Sequence, residues 1–297
     1  MKLTGANTVS YSPSDRLKVY ADESFDGGKE RVAAVAGLVG TEAEWVALES
    51  AWLERTGGKE FHANKCETEF ARDPDPDKHR AKLRLYADLA NIVADSKIRG
   101  YGSSFDIASY LENFRGANPE YGFYHGFTGL LKRFGNVALT DRKQVEFIFD
   151  NRQGKEYNMN LLYEGFMGSS GWKGTSIFFS NKINFDTRKN PRIQAADLVA
   201  REAMKFLDNY IGPVRRTHRE SLKVLANHRI QFEAFEGPYF KDFREKMPEL
   251  EKRMRMNAAN YQAWLLKYKQ PHNESSLFRF IKHLDETDPL TDGHGGR

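Results

Sequence analysis

Apolar and polar positions along the chain follow two periods, one close to two and one close to 3.6. Residues 16–23 read as a strand: Leu17-Lys18-Val19-Tyr20-Ala21 leads into Asp22-Glu23-Ser24. After the Asp26-Gly27-Gly28 turn comes a second apolar run of strand length, RVAAVAGLV over 31–39, so the pair predicts a β-hairpin. Thr41 can cap a helix, and Glu44 three residues on would complete a capping box. That helix carries Trp45, Leu48, Trp52 and Leu53 at helical spacing and stops at Gly57-Gly58. Residues 59–78 are irregular. In 79–96, Leu83, Tyr86, Leu89, Ala90 and Val93 recur at three and four, which predicts an amphipathic helix.

Further on, 98–106 reads as a strand, 107–114 and 120–137 as helical, and 144–149 as a strand that delivers Asp150. A helix is expected over 158–167 and a short strand over 176–179. Pro191 then opens a helix that reaches about Tyr210, proline being favoured in a first turn. Strands alternating with helices predict an α/β domain with a mixed sheet flanked by helices, over residues 16–212. An irregular segment, 1–15, precedes it. Residues 213–284 are expected to form a helical C-terminal extension, and 285–297 a disordered tail.

Composition narrows this picture only a little. The 297 residues are 40% hydrophobic, enough for a sizeable core, and the net charge of +4 neither demands nor excludes nucleic acid. The charge is uneven, however. Residues 182–224 hold ten Lys and Arg against five acids, an excess larger than that of the whole chain. Such a patch could hold phosphates or could equally be a solvated helix face. The single cysteine, Cys66, allows no internal disulfide and fits a reducing compartment. With no apolar signal core at the start and no run near the ~18 apolar residues of a membrane span, a cytoplasmic protein without a membrane partner is expected.

The chemistry lies in three aspartates. Asp22 and Asp150 each follow an apolar strand-like run, and Asp197 sits in a helix among Ala195, Ala196, Ala200 and Ala203. Strands buried on both faces are usually central, and neighbouring central strands bring their ends together. The small residues let the helix press on the sheet and aim Asp197 at those ends. Carboxylates so placed repel one another unless a cation meets them, and hard oxygen donors suit Mg²⁺ or Mn²⁺. Each aspartate also has a purely structural explanation. Asp22 could cap the strand-to-turn junction with Ser24, Asp150 could cap a following helix, and Asp197 could pair with Arg201 one turn on.

On YADES (20–24), FHA (61–63), FIFD (147–150) and NPRIQAADLVA (190–200), the chain resembles the bacterial family catalogued as domain of unknown function 3800. The resemblance covers roughly residues 16–210 and implies a ribonuclease-H-like fold. It also implies that Asp22, Asp150 and Asp197 correspond to acidic ligands of a metal site. A fourth acid has no clear counterpart. Glu23 follows Asp22 on the opposite strand face, and Glu60, Glu67 and Glu69 are alternatives near FHA. His62 could be a metal ligand, a proton shuttle or a phosphate contact, or a buried histidine satisfied by a carbonyl. Gln194, one turn before Asp197, could orient a phosphate or bond to loop backbone. Ser24, Lys182, Arg188, Lys189 and Arg192 are the remaining candidates for holding a nucleic-acid backbone.

The function expected from these features is a Mg²⁺- or Mn²⁺-dependent nuclease, and the resemblance implies that it leaves a 3′-hydroxyl and a 5′-phosphate. A catalytically silent scaffold binding nucleic acid or protein, in phage defence or mobile elements, is the alternative. DNA and RNA stay equally open as partners, and a homodimer is allowed for. The family itself has no well-established activity, so the resemblance speaks more to fold than to substrate.

Overall fold

Two strands that bury both faces form the centre of the sheet. In the computed structural model, residues 16–66, 75–113, 120–151, 159–160, 163, 179–180, 182–242 and 244–245 are described. Strand β1 (Leu17–Phe25) pairs antiparallel with β2 (Val32–Thr41), from Leu17 opposite Thr41 to Phe25 opposite Ala33. The turn between them closes on Asp26, whose Oδ1 accepts the N–H groups of Glu30, Arg31 and Val32, each at 3.1 Å. Strand β3 (Arg99–Asp106) lies antiparallel on the far side of β2. Strand β4 (Val145–Asp150) runs parallel to β1 on its other side, and β5 (Asn184–Asp186) runs parallel to β4. With β6 (Ile230–Phe235) beside β3, the six described strands stand in the order β5-β4-β1-β2-β3-β6.

Helices cover both faces. The capping box forms as expected at the start of α1 (Glu42–Thr56): the Thr41 hydroxyl accepts from Glu44 N–H, and the Glu44 carboxylate accepts from Thr41 N–H. Gly57 ends the helix in the left-handed conformation, with φ +63°. Helix α2 (Pro76–Asp95) is capped by Asp75. Next come α3 (Ile107–Asn113) and α4 (Glu120–Asp141), then α5 (Pro191–Ile211) and α6 (Glu220–Ala226).

Strand alternation sorts the core into two layers. Leu17, Val19, Ala21, Phe147 and Phe149 pack under α4 with Phe127, Leu130 and Phe134. Tyr20, Ala36, Leu38 and Ile148 face the other way, onto α1, α2 and α5. Helix α5 crosses β1, β2 and β3 almost wholly buried. Its closeness has a local cause: a Cβ added at Gly102 of β3 would stand 2.9 Å from Cβ of Ala203.

Several expectations are corrected. Residues beyond 212 do not form a purely helical extension, because α6 leads into β6, which joins the same sheet from Gly100 opposite Ile230 to Phe105 opposite Phe235. Ile230-Gln231-Phe232-Glu233-Ala234-Phe235 alternates with period two, a strand signal hidden by its aromatic content. A domain boundary at 212/213 therefore cuts through the sheet. Leu53 and Leu83 match the helical spacing but face solvent, at 39% and 47% exposure. The predicted 158–167 helix and 176–179 strand lie mostly outside the described residues, as do 1–15 and everything from 246 on. Among the described residues no helix is long and apolar enough to cross a membrane.

Candidate functional site

Asp22 and Asp150 are brought together by register. The parallel β1–β4 pairing ends with Ala21 opposite Phe149, so the next residue on each strand is an aspartate. Tyr20 and Ile148 face α5, so strand alternation sends Asp22 and Asp150 to that face as well. Asp197 rises from α5 to meet them. The alanines around it are all buried, which lets the helix lie close enough for a short side chain to approach Asp22 within β1 and Asp150 at the end of β4.

Asp22 is fully buried. Its Oδ1 accepts the N–H of Glu23 at 2.7 Å, whereas Oδ2 has no hydrogen-bond partner. Burial holds its pKa well above the ordinary value of 3.8, and the carboxylates of Asp197, Glu23 and Asp150 push it further up, with Arg188 opposing. Asp150 is also raised, chiefly by burial, with Arg188 again opposing and Asp197 adding to the rise.

Asp197 is held from the FHA segment. Its Oδ2 accepts the N–H of Ala63 at 2.8 Å and lies 2.8 Å from His62 Nδ1. A carboxylate oxygen that is already an acceptor needs a donor there, so the proton belongs on Nδ1. His62 Nε2 then accepts from Arg188 Nη1 at 3.3 Å. Phe61 anchors this segment in the core, against Trp52 and Tyr86.

Arg188 completes the cluster from the turn between β5 and α5. Its Nε lies 3.8 Å from Asp22 Oδ2, and its Nη2 lies 3.4 Å from Asp150 Oδ2. The turn is built by its neighbours. Asp186 accepts from Thr187 N–H and from the Asn190 side chain, each at 2.7 Å, and Asn190 caps α5 by accepting from Arg192 N–H at 2.9 Å.

Other candidates are placed elsewhere. Arg192 is 8% exposed, and its guanidinium is shared among Glu42 at 2.7 Å and 3.1 Å, Glu49 at 2.9 Å and the Tyr20 hydroxyl at 3.2 Å. Hydrogen bonds from Arg192 and Lys18 hold Glu42 down to about 2. Arg192 is thus a core tie, not a phosphate contact. Gln194 is likewise committed: its Oε1 accepts from Trp52 Nε1 at 2.9 Å and Phe61 N–H at 3.1 Å, and its Nε2 donates to the Arg188 carbonyl at 2.7 Å. It fixes the turn and the FHA segment that frame the cluster, which leaves its amide no role in orienting a phosphate. Ser24 is buried on the Asp22 face, while Lys182 and Lys189 are exposed flanks of β5 and the turn. The Glu23 side chain falls on the α4 face of β1 by alternation; its backbone N–H bonds to Asp22 Oδ1, and its carboxylate acts on Asp22 through charge. Glu60 is exposed, and Glu67 and Glu69 lie outside the described residues.

The central place of Arg188 is what sequence reasoning missed. It grouped this arginine with surface cations because spacing says nothing about where a turn side chain points. The nearest signal was its position between Asp186 and the helix cap.

No protein-family model matches the chain, and no curated protein matches it. The family resemblance therefore rests on the four motifs alone.

The donors suit a hard divalent cation in kind: three carboxylates and an imidazole, with Asp22 Oδ2 buried and unbonded. They do not form a ready-made cage, since among the described residues no three His, Cys, Asp or Glu side chains gather closely enough to hold a metal. The space between Asp22 and Asp150 belongs to the Arg188 guanidinium.

Proposed function

We propose that this cluster, where β4 ends beside β1, is the active site of a divalent-metal-dependent phosphodiester hydrolase acting on nucleic acid. One observation carries the reading: a fully buried Asp22 with an unbonded carboxylate oxygen, facing two further aspartates delivered by β4 and α5. Three carboxylates against one guanidinium leave an excess of negative charge in a desolvated place, which a structural role alone does not require.

The topology supports the same reading. The antiparallel β1–β2–β3 meander, continued beyond β1 by parallel β4 and β5, resembles the strand order of a ribonuclease-H-like sheet, with β6 added beside β3. Asp22, Asp150 and Asp197 would hold Mg²⁺ or Mn²⁺. When bound, the ion lowers the pKa of its water and stabilises the oxygen that leaves phosphorus. The chain's own residues orient the reaction. Asp197 fixes the His62 ring, so that Nε2 faces the cluster where a proton can be taken up. Arg188 and the exposed Lys189 stand where a phosphate would approach.

The test is cleavage of single- and double-stranded DNA and RNA by purified protein with Mg²⁺, Mn²⁺ or a chelator, alongside Asp22→Asn. Metal-dependent products that vanish in the variant while its circular dichroism is unchanged support the reading. Equal cleavage with chelator, or by the variant, sinks it. Arg188 favours a second reading, in which the cluster is an internal ion-pair network of a binding scaffold. That reading predicts nucleic-acid retention with no metal-dependent turnover.

A further inference from the structure

Arg188 is the cation at the centre of the cluster, and its bonds there are poor. Its Nε and Asp22 Oδ2 stand 3.8 Å apart, and both atoms are buried without a hydrogen-bond partner. Its contacts with Asp150 at 3.4 Å and with the His62 ring at 3.3 Å are also long. A well-made bond between a guanidinium and a carboxylate spans about 2.7–2.9 Å. Arg192, four residues on, meets that standard, with contacts of 2.7 Å to Glu42 and 2.9 Å to Glu49.

The two arginines differ in mounting as well. Arg192 extends from α5 and is nearly sealed, at 9% side-chain exposure, whereas the Arg188 side chain is 35% exposed on a turn. The groups it faces sit on regular structure: Asp22 on β1, Asp150 at the end of β4, and Asp197 on α5, pinned by His62 and Ala63. Glu23 adds negative charge from the other face of β1. The carboxylates are therefore the fixed part of the cluster, and the guanidinium is the part with room to leave.

We propose that Arg188 is a displaceable counterion, which neutralises the carboxylates in the metal-free protein and yields its place to a divalent cation. This rests on the metal reading of the site. The guanidinium and the ion compete for the same oxygens, so the observed metal affinity is reduced by the fraction of molecules in which Arg188 is in place. Once displaced, the arginine swings to the exposed rim and offers its fork to a phosphate. The Arg188 charge is then added to that of exposed Lys189 at the rim only when the metal is in place.

The test is Mn²⁺ binding by the full chain, followed by calorimetry and by the spin-resonance signal of free Mn²⁺, with no substrate present. Arg188→Gln is expected to bind Mn²⁺ on the order of tenfold tighter than the native protein, because the competitor is gone. Arg188→Lys keeps the charge but lacks the fork, and should fall between the two. Lys78→Gln removes an exposed charge from α2, outside the cluster, and should bind as the native protein does. Asp22→Asn should lose most of the affinity.

If the native protein binds Mn²⁺ and Arg188→Gln binds it no more tightly, the counterion role is wrong and the metal reading stands. If neither binds, both fall. Should circular dichroism show Arg188→Gln to be unfolded, Arg188→Lys decides, and native or weaker affinity in that variant overturns the proposal.

Discussion

The His62 ring is clamped between opposite charges: its Nδ1 lies 2.8 Å from Asp197 Oδ2 and its Nε2 lies 3.3 Å from Arg188 Nη1. Asp197 sets the tautomer and Arg188 takes the other nitrogen, so the ring is oriented from both sides. His62→Ala removes one of two bonds to Asp197 Oδ2, the other being the Ala63 N–H. The ring is partly solvent-accessible, so the cost in stability should be small, about 1 kcal/mol. Under the proposed reading, turnover should fall on the order of 10²-fold. Thermal melts and cleavage rates measured together check this. A large fall in melting temperature with proportionate loss of activity would mean that the histidine is only structural.

Asp22→Asn should separate stability from function. With its folded pKa raised by burial and by its acidic neighbours, Asp22 is less easily ionised in the folded chain than in the unfolded one. The folded state then holds the extra proton, and stability falls as pH climbs from the ordinary value of 3.8 through the raised one. Asp150 acts in the same direction. Glu42, held down to about 2, acts oppositely, but only below its ordinary value of 4.5. Above that pH the raised aspartates set the trend. Metal-free Asp22→Asn should accordingly melt no lower than the native protein at pH 7.5, with the gap narrowing as pH falls toward 5. Melting curves at a series of pH values with chelator present test the sign. A variant that melts well below the native protein at pH 7.5 would contradict it.

What the sequence could reveal depended on how local the cause was. The Thr41/Glu44 capping box and the Gly57 stop are written within a few residues, and both are found. The meeting of Asp22 and Asp150 followed from two strand-like runs that each lead into aspartate, although β1 continues past Asp22 to Phe25 and only β4 ends at its aspartate. That inference needs only that the strands be neighbours, which their double-sided burial suggested. Gln194 takes the second of its two expected roles, a bond to loop backbone at the Arg188 carbonyl, whereas the role expected of Arg192 failed for want of a local cause. Glu42 and Glu49 lie 150 and 143 positions from Arg192, so nothing near it in sequence announces a partner for its guanidinium. Arg188 shows the same limit, and β6 was hidden because its aromatics also suit a helical core.

Arg192→Ala distinguishes a core tie from a phosphate contact. Removal leaves Glu42, Glu49 and the Tyr20 hydroxyl without a shared donor, and it strips the guanidinium from the Tyr20 ring, whose centroid it approaches to 5.5 Å. Glu42 and Glu49 are partly exposed and can turn to water, which limits the loss to roughly 2 kcal/mol. In a domain of this size that is a fall of roughly 5 °C in melting temperature. Under the proposed reading, nucleic-acid affinity measured well below the melt should be unchanged. Weakened binding with an unchanged melting temperature would return Arg192 to the substrate side.

Gly102→Ala tests whether α5 must press on the sheet for Asp197 to reach the strand ends. The new methyl would stand 2.9 Å from Cβ of Ala203 and 3.1 Å from the Phe232 ring, closer than carbon atoms settle. Neither neighbour can move aside alone: Ala203 is fixed to the helix backbone, and Phe232 sits on β6, paired to β3. Helix α5 must therefore shift outward or β6 must peel, at a cost of about 1–3 kcal/mol. Ala203 lies six residues beyond Asp197, less than two helical turns away, so an outward shift lifts the carboxylate from Asp22 and Asp150. The variant should lose Mn²⁺ affinity by more than its lowered melting temperature accounts for at a temperature where it is fully folded. Ala203→Gly in the same chain relieves the contact and should restore most of that affinity. A double variant that regains stability without regaining Mn²⁺ binding would show that the helix-to-sheet distance does not control the cluster.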